Sequence, residues 1–158
     1  MKEIICSGAL FCSLNTKRFL FLHRAKSKRK NVWGIVGGTN EDLETPWIGL
    51  QREILEEVGP SVPKIIKTLP LETFVSKDSH FSFHTYVCLV KEEFIPMLNN
   101  EHNGYCWTSI NNWPKPLHQG LYNTLNAKTN QKKLSTILNS VQHKLFSYTL
   151  SNDVKDIH

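Results

Sequence analysis

The chain has 158 residues, 40% of them apolar and 21% charged, with a net charge of +5. That is enough for one domain with a proper core and too little for two. No apolar run approaches the roughly 18 residues of a membrane span, so a soluble, cytoplasmic protein is expected, with no membrane partner.

Ile4 to Leu14 reads as a strand rather than as the core of a signal peptide, because Glu3 and the alternation beyond it suit a sheet. Asn15-Thr16 marks a turn, Phe19 to His23 a second strand, and Val32 to Val36 a short third one. Between them Lys17, Arg18, Arg24, Lys26, Lys28, Arg29 and Lys30 form an acid-free basic stretch. Such a stretch attracts polyphosphate or nucleic acid, or is a solvated loop. Gly37-Gly38 opens a loop running to Glu44. Thr45 is an expected helix N-cap, with Pro46 at the first helical position and Gly59-Pro60 as the stop. Lys64 to Val75 and Phe81 to Val90 read as a hairpin around Lys77-Asp78-Ser79, the second strand alternating as a half-buried strand does. Tyr105 to Ile110 reads as a further strand, with Trp107 in the core. Leu117 to Asn126 and Lys133 to Leu145 read as helices, split by the polar segment Ala127 to Gln131. These elements predict an α/β fold with a mixed sheet flanked by helices, one domain over 1–150 and a frayed tail over 151–158. The four cysteines (Cys6, Cys12, Cys88, Cys106) contain no CxxC pair and are expected to be buried reduced thiols. His80, His84 and His102, with Cys106, lack the spacing of a zinc site.

Residues 38–60 read GTNEDLETPWIGLQREILEEVGP. On a helix from Pro46 to Val58, at about 100° per residue, Glu56 and Glu57 lie roughly 60° and 40° either side of Glu53. Trp47, Leu50, Ile54 and Val58 gather on another side as an apolar stripe. Acids at i, i+3 and i+4 repel one another, so stability does not call for them. A hard divalent cation does, because magnesium prefers carboxylate oxygen.

The spacing Gly38, Glu44, Arg52-Glu53, Glu56-Glu57, Gly59 resembles the Nudix box, GX5EX7REUXEEXGU with U aliphatic, and departs from it only where Pro60 replaces the final aliphatic residue. Seven fixed residues at about one in twenty each arise by chance on the order of once in a billion start points. The resemblance implies the Nudix α/β/α sandwich and a magnesium-dependent pyrophosphohydrolase (manganese is an alternative ion). Its substrate would be a nucleoside diphosphate linked to another moiety. It implies that Glu53, Glu56 and Glu57 bind the ion, with a main-chain carbonyl of Gly38 or Gly37 adding an oxygen. Glu53 either binds the ion or polarises the attacking water, and Arg52 and Glu44 position the acids. In many relatives an acid in the loop before a Trp-containing strand is a further ligand or the general base. Glu101 has that place here, and His102 beside it is a rival base. Phe81, Phe83 and Trp113 either stack on a base or belong to the core, and Asn111, Asn112 and Asn123 either bond a base edge or form turns. Val36 stands where proline is common and Leu43 where glycine is common, while Gly49 costs about 1 kcal/mol inside a helix unless close packing requires it. The markers of ADP-ribose, dinucleoside polyphosphate, NADH and coenzyme A hydrolases are missing, which favours a compact MutT-like enzyme. Two alternatives stand: an RNA 5′-pyrophosphohydrolase or decapping-type enzyme gripping RNA through 17–30, and a non-catalytic nucleotide-binding module.

Overall fold

Along strand β1 (Ile4–Ser13), Ala9 and Phe11 face one side, Leu10 and Cys12 the other, and all four are fully buried. β1 is therefore a central strand covered on both faces. The computed structural model describes residues 2–26 and 28–155, with side chains described as far as residue 141. β1 runs parallel to β6 (Phe81–Val90) from Ile4 opposite Phe81 to Ser13 opposite Val90. β6 pairs antiparallel with β5 (Lys67–Val75), which ends the sheet on that side.

On its other side β1 has two partners in turn. Its C-terminal end meets β2 (Phe19–Arg24) at Cys12 opposite Phe19. Its N-terminal half pairs with β4 (Val36–Thr39), Cys6 opposite Thr39 and Ala9 opposite Val36. The single strand predicted over 32–36 is thus two: β3 (Trp33–Gly34) pairs with β2, and the chain then crosses to β1 as β4. β1 and β2 part on the N-terminal side of Cys12, and β4 fills the gap there. Gly37-Gly38, read as the start of a loop, belongs to β4. β7 (His102–Thr108) pairs antiparallel with β2 and begins three residues before the predicted strand, which brings His102 opposite Arg24.

Helix α1 (Pro46–Val58) packs Leu50, Ile54 and Val58 on one sheet face, against Phe11, Leu20, Leu22, Val36 and Val90. Helices α2 (Gln119–Asn126) and α3 (Lys128–Lys155) cover the other face, where Leu121, Leu125 and Leu134 meet Leu10, Phe19, Phe21, Leu71 and Val87. The architecture is the expected α/β/α sandwich around a mixed sheet. Two helix faces on one sheet explain why β6 departs from simple alternation: residues Val87 to Val90 are all buried. The polar segment Ala127 to Gln131 breaks the helices only at Ala127, and α3 begins five residues early. Asn130 is 3% exposed there and donates to the Thr124 carbonyl at 3.0 Å, so its amide is satisfied inside. α3 continues past the predicted end at Leu145, so residues 151–155 of the expected frayed tail are helical, and residues 156–158 lie outside the described residues. All four cysteines are free, with Cys12 and Cys88 buried and Cys6 and Cys106 partly so. Among the described residues no helix is long and apolar enough to cross a membrane.

Candidate active site

The site is built on α1 and the β4 main chain beneath it. Thr45 caps the helix, its Oγ1 accepting from Ile48 N at 3.2 Å, and Pro46 fills the first turn. Leu50, Ile54 and Val58 bury one stripe, and Glu57 and Glu53, which flank it, lie against β4. Gly49 has its packing reason. A Cβ there would overlap the Asn40 side chain and come within 2.8 Å of Glu44 Oε2.

Glu57 is only 2% exposed. Its Oε1 accepts the Gly37 N–H at 3.3 Å, and its Oε2 is buried with no hydrogen-bond partner. Burial first, and the neighbouring Glu53 charge second, push its carboxyl up to about 9. Glu53 lies against Gly38 so closely that a Cβ on that residue would overlap its carboxylate. Its carboxyl is also raised by burial, with Arg52 opposing. Glu56 stands apart: its side chain is 53% exposed and bonded to Arg52 Nη1 at 3.2 Å. The three acids that helical geometry groups together are therefore divided into a buried Glu57, a partly buried Glu53 and a solvent-facing Glu56.

Arg52 joins the parts. Its Nε donates to Glu44 Oε1 at 2.9 Å, Nη1 to Glu53 Oε1 at 3.2 Å, and Nη2 to the Thr39 carbonyl at 3.1 Å. A planar fork with several donors can hold helix, loop and strand in one geometry, as a lysine cannot. The bond to Glu44, foremost, raises the guanidinium further above its ordinary value, so it stays charged.

His102 Nε2 lies 3.7 Å from Glu57 Oε2, within ion-pair range but beyond a hydrogen bond. Burial, then Arg24 and His23, depress the imidazole to about 4. Near neutral pH this is a contact of a neutral ring with a carboxyl group, not a salt bridge. Glu101 is exposed at the cleft edge, its N–H bonded to Asn99 Oδ1 at 3.0 Å, and its charge adds to the upward push on Glu53 and Glu57.

Of these groups Glu57, Glu101 and His102, with Gly37 and Gly38 of β4, line a cleft of about 910 Å³. Arg24, Lys26 and Arg29 line it beside Glu57, Glu101 and His102, while Phe74, Phe81 and Phe83 line it over β5 and β6. Of the basic stretch, Arg18 instead pairs with Glu93 at 2.7 Å. Among the aromatic candidates Phe81 and Phe83 face the cleft. Trp113 packs edge-on to Phe19 at 5.5 Å in the core. Asn123 lines the cleft, whereas Asn111 sits in a turn with φ 64°. Trp107 packs on Phe94 at 5.4 Å, as expected. Sequence reasoning missed Glu72, His118 and Thr124, which also line the cleft. The charge of Glu72 within a strand-like run was the available signal for it.

Among the described residues, no three His, Cys, Asp or Glu side chains already converge on one point as a metal site. The groups nonetheless fit a hard divalent ion. The donors are all oxygen, two partly desolvated carboxylates adjoin the β4 main chain, and one buried carboxylate oxygen lacks any partner. Such an ion would lower the cost of ionising both acids.

Comparison with known proteins agrees with this geometry. The family model described as NUDIX domain matches residues 7–127. Dihydroneopterin triphosphate diphosphatase of Haemophilus influenzae is 31% identical over 109 residues, covering 60% of this chain and 67% of that protein. Among solved structures, the MutT Nudix hydrolase from Burkholderia pseudomallei superposes with a TM-score of 0.65 at 22% identity, over 79% of this chain and 97% of that one. The MutT protein from Methanosarcina mazei gives 0.61 at 21% identity, over 84% and 96%. The Nudix domain of Shewanella oneidensis NrtR, solved with ADP-ribose, gives 0.55 at 14% identity, over 69% and 74%. The chain belongs to the Nudix family and is a hydrolase. Members of this family generally use divalent metal ions.

Proposed function

We propose that this hydrolase is a magnesium-dependent, cytoplasmic pyrophosphohydrolase that cleaves a nucleoside diphosphate linked to another group, such as a nucleoside triphosphate or nucleotide sugar. The observation that carries this reading is the partnerless buried Oε2 of Glu57, beside Glu53, at the head of a cleft lined with arginine and lysine. A polyphosphate needs its charge neutralised before a nucleophile can approach, and divalent ions with fixed cations supply that. Glu53, Glu57 and the Gly38 carbonyl would hold magnesium (manganese as a substitute), with Glu56 joining from its exposed position. Arg52 and Glu44 would keep the acids in place, while Arg24, Lys26 and Arg29 would grip the phosphates. The name of the Haemophilus relative, a triphosphate diphosphatase, supports the same reaction class.

We assign the proton acceptor to Glu101 or Glu53 rather than His102. Glu101 is exposed at the cleft, where water reaches it, whereas the His102 side chain is only 8% exposed and is turned against Glu57, with Nε2 3.7 Å from Oε2. His102 then serves as a neutral wall behind Glu57.

The experiment is a substrate panel with magnesium and then manganese: deoxynucleoside triphosphates, oxidised guanine nucleotides, ADP-ribose, nucleotide sugars and dinucleoside polyphosphates. Metal-dependent phosphate or pyrophosphate release that Glu57→Gln abolishes, with the fold intact, supports the proposal. No release from any member sinks it in favour of a binding module. The RNA reading has narrower support, since Arg18 is engaged by Glu93 and the cleft takes Arg24, Lys26 and Arg29. RNA affinity falling steeply with salt would revive it.

A further inference from the structure

Strand β5 contains one irregularity, and it sets what the far end of the cleft presents. Leu69 stands opposite Val87 and Pro70 opposite Tyr86, but Glu72, not Leu71, stands opposite Thr85. A regular strand would turn Glu72 to the face of His84, away from the cleft. The bulge instead places Leu71 and Glu72 on the same face, Leu71 in the core under α2 and α3 and Glu72 in the cleft.

There the carboxylate is anchored. Oε1 accepts from Thr124 Oγ1 at 2.9 Å and Oε2 from Asn130 Nδ2 at 2.5 Å, and both partners are largely buried. Each carboxylate oxygen has two acceptor positions, so each keeps one free. Phe74, Phe81 and Phe83 form an apolar floor beside it. Glu72 lies on the edge strand, three strand spacings from the β4 glycines (about 14 Å at ordinary spacing). A negative group cannot hold phosphate, so this end suits the non-phosphate part of a substrate whose phosphates lie toward Arg24 and the acids.

We infer that Glu72 is a specificity-determining residue that selects a planar heterocycle presenting two adjacent N–H donors, the 2-amino-4-oxo edge of guanine or a pterin. A fixed carboxylate accepts from the ring N–H and the amino N–H side by side. Adenine and cytosine present one donor beside a ring acceptor, and uracil one donor between two carbonyls, so each sets a lone pair against Glu72. An unpaired buried polar edge is what makes such discrimination steep. The inference rests on the proposed reading of the cleft as a nucleotide site, and it specifies the base.

The test measures binding of GDP, IDP, ADP and UDP by calorimetry without divalent ion, and turnover of the matching triphosphates with magnesium, for wild type and Glu72→Gln. Wild type should prefer GDP over ADP and UDP by roughly ten- to a hundred-fold, with IDP, which lacks the 2-amino group, between them. In Glu72→Gln the amide offers one donor and one acceptor, so the GDP to ADP ratio should collapse or invert while thermal stability shifts little. Equal binding of all four, no binding of any, or a uniform loss in the variant overturns the inference and leaves Glu72 as a tie between β5 and the helices. Should the variant not fold, the wild-type order decides: ADP bound as tightly as GDP, or IDP as tightly as GDP, overturns it. Absence of all turnover with the GDP preference intact would instead refute the proposed hydrolysis and leave the base assignment standing.

Discussion

Gly38 and Glu53 share one volume: a single added carbon on Gly38 would overlap the Glu53 carboxylate. The glycine leaves room for an acid to lie directly on the β4 main chain.

Gly38→Ala should therefore cost activity far more than stability. The atoms it meets are the far end of a flexible side chain, which can swing aside without moving backbone. We expect kcat/KM to fall by roughly a hundred-fold or more, the usual consequence of misplacing a reacting group by an ångström, with the melting temperature nearly unchanged. Steady-state kinetics and a thermal melt check both halves.

Stability of the metal-free protein should fall as pH rises from about 6.5 to about 9. Glu57 is raised from 4.5 to about 9, so the folded state binds a proton that the unfolded state has lost, and that stability disappears as pH climbs through the folded value. His102, lowered from 6.5 to about 4, acts in the opposite sense but only below 6.5, where stability is lost as pH falls. Denaturant unfolding in a chelator at several pH values should show the decline, and Glu57→Gln should flatten it. Added magnesium should stabilise more at the alkaline end, because it binds the ionised carboxylate.

Leu43 has φ 69° and its side chain is wholly exposed, so it carries left-handed strain with no packing in return. Leu43→Gly should stabilise the fold by about 0.5–1 kcal/mol after the extra entropy of an unfolded glycine is set against the relief. A rise of roughly 1–4 °C in melting temperature would show it.

Gly49→Ala should destabilise, against helix propensity. Alanine is intrinsically better by about 1 kcal/mol, but its methyl would meet Asn40 and the Glu44 carboxylate that holds Arg52. A net loss of about 1–3 kcal/mol with a parallel fall in kcat is expected. A gain in stability would show that the loop can retreat freely.

Glu101→Gln should lower kcat by roughly a hundred-fold or more if it takes the proton, whereas His102→Asn should cost less than about tenfold. The reverse order would place the imidazole in the chemistry.

The α1 segment was legible because its information is local. A cap, a first-turn proline, a 3.6-residue apolar stripe and a glycine stop act within a few turns, and the box acids and Arg52 follow from that period. Tracing β1, β2 and the β5–β6 hairpin from alternation and turn residues worked for the same reason. What the period cannot tell is depth. It groups Glu53, Glu56 and Glu57 equally, yet Glu57 is 2% exposed and Glu56 is held in solvent by Arg52, because β4 passes over one and not the other. The split of 32–36 into β3 and β4 depends on two strands diverging elsewhere in the sheet. The turning of Glu72 into the cleft depends on a bulge across from Thr85 and on buried partners 52 and 58 residues away. Residue spacing along single elements thus determined the fold class and the helix that carries the acids. Only the tertiary structure decided which carboxylates are desolvated and where the cleft runs, since burial and pairing are set by segments that meet after the chain has folded.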